Sequence, residues 1–172
     1  KAGIDFVSGT NALNSSNTKD RSFNTLYATN QKFYGFMDYF LNIPANTANG
    51  GLVDLYFGVS SKLGDKSSLL VNAHYFLLGN NVDDTNNFGN ALSKGLGGEI
   101  DAVYGLKIHE MVNFNLGWSV LIPTNSLDAI NPGSKGKFNT WAWTAFTFKP
   151  IFYKSKEKEE KTNRKRERTR KE

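Results

Sequence analysis

An all-β chain of long antiparallel strands is what this 172-residue sequence predicts, on three observations. Apolar and polar residues alternate with a period of two along most of it. The alternating runs last about ten to twelve residues, roughly twice an ordinary soluble strand. The connections between them alternate between very short and very long.

The first run is Gly3–Gly9, with Ile4 and Phe6 against Asp5 and Val7. In Leu52–Leu63, Val53, Leu55, Phe57 and Val59 oppose Asp54, Tyr56, Gly58 and Ser60. Leu69–Leu78 sets Leu69, Val71, Ala73, Tyr75 and Leu77 against Asn72 and His74. In Glu99–His109, Ile100, Ala102, Tyr104, Leu106 and Ile108 oppose Glu99, Asp101, Lys107 and His109. Val112–Ile122 places Phe114, Leu116, Trp118 and Val120 opposite Asn113, Asn115, Gly117 and Ser119. Phe138–Lys149 places Ala142, Thr144, Phe146 and Phe148 opposite Trp141, Trp143, Thr147 and Lys149. Each run reads as a strand with one apolar face.

Gly64-Asp65-Lys66 and Glu110-Met111 are tight turns, so their flanking strands form hairpins. Gly79–Gly98 and Pro123–Lys137 are long loops rich in Asn, Asp and Gly, and much of the chain's 20 asparagines serves such turns. Short turns at one end and long loops at the other are the rhythm of an antiparallel transmembrane β-barrel, with short periplasmic turns and long outer loops. A soluble sandwich or lipocalin-like barrel shares the alternation without needing the loop asymmetry.

If the last strand runs toward the periplasm, Gly51–Leu63 runs the same way and Gly3–Gly9 the opposite way. Residues 10–50 are then one long outer loop. Within it Phe33, Phe36, Met37 and Phe40 fall at helical spacing, predicting a short helix over Gln31–Leu41, with a strand as the second choice. Residues 154–172 contain ten Lys/Arg and five Glu and no apolar residue, so this tail is expected to be disordered and solvated.

The formal charge of +5 resides entirely in that tail, because residues 1–153 carry eleven basic and eleven acidic side chains. A basic domain that tracks a phosphate backbone is therefore excluded, and no nucleic-acid partner is expected. With no cysteine there is neither a disulfide scaffold nor a thiolate site. No run of about 18 apolar residues could form a transmembrane helix.

Catalytic chemistry is sparse. Glu99 and Asp101 share a strand face about 7 Å apart, but Lys107 and His109 beside them make a charge ladder the simpler reading. Asp83-Asp84-Thr85-Asn86-Asn87 lacks the spaced ligands and closing Glu of an EF-hand. Gly95-Leu96-Gly97-Gly98 precedes a strand, not a helix, and so is no phosphate loop. No enzyme activity, cofactor or metal is expected. If the apolar faces meet lipid, the lumen-lining side chains are Asp54, Tyr56, Asn72, His74, Glu99, Asp101, Lys107, Asn113, Asn115, Trp141, Trp143 and Lys149. Two indoles among amides and acids suit a carbohydrate, although the opposite strand phase would put Trp141 and Trp143 in an aromatic girdle.

The run Phe23-Asn24-Thr25-Leu26-Tyr27-Ala28-Thr29-Asn30-Gln31-Lys32-Phe33-Tyr34-Gly35-Phe36-Met37-Asp38-Tyr39-Phe40 resembles a segment of the alginate-export outer-membrane porin family. So do Gly3–Gly9, Gly51–Tyr56, Leu96–Asp101, Asn139–Trp143 and Phe146–Pro150, which extend the resemblance over about residues 3–150. It implies the C-terminal part of a Gram-negative outer-membrane barrel, with its tail periplasmic and the residue 10–50 loop folding into the pore. Further strands, from the same chain or from partner chains, must then complete the wall. The family's alginate exporters have strongly cationic lumens. Here Asp54, Glu99 and Asp101 face Lys107 and Lys149, and Arg21 is the only arginine before the tail. The expected function is a passive porin-like channel for hydrophilic solutes, saccharides foremost, with polyuronate export implied by the resemblance alone. The alternative is a soluble or surface β-sandwich that binds carbohydrate.

Overall fold

A computed structural model describes residues 1–14, 19–25, 33–136 and 139–152. Six strands form one antiparallel sheet in chain order: β1 (Ala2–Val7), β2 (Leu52–Lys62), β3 (Ser67–Leu78), β4 (Gly95–His109), β5 (Val112–Pro123) and β6 (Asn139–Phe148). The all-β expectation holds, and every strand falls where two-residue alternation placed it. β4 starts four residues early because Gly95–Gly98 joins the ladder. Expectations for Phe138 and for residues 154–172 lie outside the described residues.

Two short helices punctuate the loops. α1 (Ile43–Asn46) is capped by the Asn42 side chain, which accepts the Ala45 N–H, and Pro44 sits in its first turn. α2 (Asn125–Ile130) is capped by Thr124, whose hydroxyl accepts the Leu127 N–H. Among the described residues no strand interrupts the connection from β1 to β2.

The helix expected over Gln31–Leu41 is not formed: residues 31 and 32 are outside the described set, and 33–41 run as bends and turns. Tyr34, Gly35 and Asp38 adopt φ values of 62°, 80° and 57°, which break any helical or extended path. The Phe36 and Met37 N–H groups are instead donated to the Glu99 carboxylate, so the segment is shaped by the sheet beneath it.

Burial inverts the usual arrangement of a one-sided sheet. The apolar face is exposed along all six strands: Ile4, Phe57, Val71, Ile100, Leu116 and Phe146 are among its open side chains, with Phe57 58% accessible. The polar face is the covered one, and Asp54, Glu99 and Asp101 are each 1% accessible. Among the described residues the buried apolar core lies on that polar face at its long-loop end. There Phe40 and Ile43 from the loop pack with Leu52, Phe76, Leu78, Leu96, Leu121 and Leu127. A register shift between Phe76 and Leu77 accompanies this end of the β3–β4 ladder, where Leu96 is fully buried.

Candidate functional site

The polar face divides into three zones along the strands. Below the apolar core lies a row of charges set by pairing register: Asp5 opposite Asp54, Tyr56 opposite His74, His74 opposite Glu99, and Asn72 opposite Asp101 opposite Ser119. Two aspartates directly across a ladder repel. The His74 ring lies on the other side of Asp54, with Nδ1 2.9 Å from Asp54 and Nε2 3.7 Å from Asp101. Ser119 donates its hydroxyl to Asp101 at 2.6 Å. Glu99 Oε1 accepts the Phe36 and Met37 N–H groups at 2.6 and 2.9 Å. Four strands and one loop thus converge on three buried carboxylates.

The loop completes this zone with two tyrosines. Burial above all, then the negative charges of Asp5 and Asp54, holds the Tyr34 phenol above its ordinary pKa. Burial, with Glu99 behind it, does the same for Tyr39, whose hydroxyl donates to Asn139 Oδ1 at 3.1 Å. Gly35 packs directly on the Glu99 carboxylate, with no space for a Cβ.

Trp141 and Trp143 lie on the polar face, in register with Ser119 and Gly117. Their rings are 6.3 Å apart and tilted by 38°. The Trp143 indole lies over Gly117, where any Cβ would collide with it. Among the described residues its Nε1 is buried without a hydrogen-bond partner.

The third zone, at the tight-turn end, is basic. Lys107 N–H donates to the Lys66 carbonyl at 2.7 Å, Lys107 pairs with Asn113, and Asn113 pairs with Thr147. With Ser68, Gly105, Asn115 and Lys149 these residues enclose an open cavity of about 320 Å³.

All twelve side chains singled out from the sequence share this face. The structure brings Asp54, His74, Glu99 and Asp101 together, and separately gathers Lys107, Asn113, Asn115 and Lys149. Lys66, Ser68 and Thr147 were missed, although stepping back by twos from Asn72 reaches Ser68 and Lys66, and Thr147 is in phase with Lys149. The loop N–H groups on Glu99 had no sequence signal, since they lie 62 and 63 residues away. Among the described residues no group of three or more Asp, Glu or His could hold a metal ion. No family model matches the chain, and no curated protein or solved structure matches it.

Proposed function

We propose that this sheet is part of the wall of an outer-membrane β-barrel that passes hydrophilic solutes, saccharides foremost, by passive diffusion. One observation carries the reading: the sheet is inverted, with its apolar face open and its charged face covered by the protein's own loop. In water that exposure is unfavourable by about 25 cal/mol for each Å² of apolar surface, whereas lipid tails welcome it. Strands of 10–15 residues (β2 to β6) also reach across a hydrocarbon layer, for which about 9–11 tilted residues suffice.

On this reading the residue 33–50 loop narrows the lumen, and the two indoles with their neighbouring amides offer weak serial contacts to a passing sugar. Bacterial barrels begin at eight strands, so β1 and β6 pair with further strands of the same chain or of partner chains. The alternative, a carbohydrate-binding β-sandwich, uses the same indoles and covers the apolar face with a second sheet.

An arginine at Leu116 separates the two. Inside a bilayer it costs about 2–4 kcal/mol near the midplane, so folding into lipid vesicles falls sharply, while Asn115→Arg on the polar face inserts normally. A Leu116→Arg protein that inserts as well as Asn115→Arg, or that stays water-soluble with only a lower Tm, defeats the barrel. Conductance of the intact protein in a planar bilayer reads the channel activity itself.

A further inference from the structure

We propose that Lys66, Lys107 and Lys149 form a binding site for a compact dianionic oxyanion, a phosphate group carried free or as an ester on a sugar, or free sulfate. The position of the site at a pore mouth rests on the barrel reading; its affinity for the anion does not.

The three lysines come from three places in the chain, the β2–β3 turn, β4 and the residue after β6, and backbone pairing brings them to the lining of one cavity. Lys66 and Lys107 are joined through the 2.7 Å main-chain hydrogen bond, which places both on one face. Lys149 follows Thr147 by two residues, and Thr147 sits opposite Asn113, the partner of Lys107. Like charges so arranged repel unless something negative lies between them. Among the described residues no carboxylate forms an ion pair with any of the three.

The remaining lining supplies neutral donors of the right kind. Ser68 and Thr147 contribute hydroxyls and Asn113 and Asn115 amides, around a cavity of about 320 Å³. Gly105 between them has no side chain, and the Ser68 hydroxyl and Asn115 amide close over it, where a Cβ would lie 2.9 Å and 3.2 Å from their oxygens. The acids of the same sheet face do not neutralise this end. Asp54 and Asp101 flank His74, and Glu99 is bound by the loop, all of them buried. Asp65 and Glu110 are the exposed carboxylates of the two tight turns at this end, and neither lines the cavity, whose charged side chains are the three lysines.

The donor set also selects the anion. A planar carboxylate is matched best by the fork of an arginine, and among the described residues no arginine lines the cavity. Lysine ammoniums are compact point charges that approach a tetrahedral oxyanion from several sides, and three of them favour two negative charges over one. Uncharged sugars gain nothing from them.

The test is calorimetric titration of the intact protein in detergent at low ionic strength, where screening is weakest. The ligands are inorganic phosphate at pH 8, inorganic sulfate, glucose 6-phosphate, galacturonate and glucose. Saturable binding of phosphate and sulfate, at least tenfold tighter than galacturonate and absent for glucose, is the expected result. Glucose 6-phosphate binding like phosphate assigns the site to esters as well; inorganic anions alone restrict it to the free form.

The Lys107→Gln/Lys149→Gln pair should weaken binding at least tenfold, and Lys94→Gln, which lies outside the cavity, should leave it unchanged. If the double variant fails to fold, Lys66→Gln in the exposed turn gives the same reading. Galacturonate binding as tightly as phosphate, no saturable binding, or an equal loss with Lys94→Gln overturns the proposal. Conductance does not enter the measurement, so failure of the site and failure of the channel are distinguishable.

Discussion

Gly35 and Glu99 show how much of this protein depends on single positions. Gly35 has φ of 80° and lies against the Glu99 carboxylate, so an alanine there meets both a disfavoured backbone and a steric block. Gly35→Ala should weaken loop docking by about 1–3 kcal/mol, read as faster proteolytic cleavage within residues 33–41 while the sheet stays protected. The carboxylate pair Glu99 and Asp101 was legible from its spacing. Its partners were not, because Tyr34 and Asp38 enter the left-handed region for the sake of contacts remote in sequence, which no local period records. Asp128 offers a pH test at the same scale. The Lys135 N–H foremost, with those of Gly133 and Ser134, holds its carboxyl below the usual value against the opposing effect of desolvation. A depressed folded pKa contributes stability above the unfolded value, which is lost as pH falls through the folded one. Protection of the Gly133 and Lys135 amides, measured against intrinsic exchange at each pH, should therefore fall on acidification below about pH 4, and Asp128→Asn should remove that acid dependence.

Among the elements, the strands were readable because side-chain direction alternates without exception along an extended chain. What alternation left unresolved is which face is covered, since lipid and a packed core impose the same pattern. At the long-loop end the polar phase itself turns apolar: Leu52, Phe76, Leu78, Leu96 and Leu121 face the loop, not the open side. This gives two classes of aromatic with opposite consequences. Phe40 is 2% accessible, with its ring 4.7 Å from that of Phe76, and Phe40→Ala should cost about 3–5 kcal/mol by chemical denaturation. Phe57 on the open face touches no comparable core, so Phe57→Ala in detergent should cost well under half as much. Equal losses at the two positions would mean that the open face is packed against something in solution.

For the whole molecule, the inverted sheet and the zoned polar face belong to one design. A wall that turns its apolar side outward must place its charges inward, and buried charges need partners. The loop gives Glu99 two N–H donors, His74 lies against Asp54, and Ser119 donates to Asp101, while among the described residues the lysines at the far end form no ion pair. The sequence total of acids and bases on this face could be counted beforehand. Which of them stay accessible could not, because that depends on where the residue 33–50 loop lands.

The order of the strands carries a last consequence, for assembly. From β2 to β6 every ladder joins neighbours in the chain across a turn or a single loop, so contacts accumulate locally and each closure is entropically cheap. The β1–β2 ladder differs, because it must close the whole stretch from Ser8 to Gly51. That stretch finds its anchor, Glu99, only after β4 exists to present it. Hairpins are therefore expected to form progressively from β2 onward, with β1 and its long connection settling late, once β4 presents Glu99 to the loop.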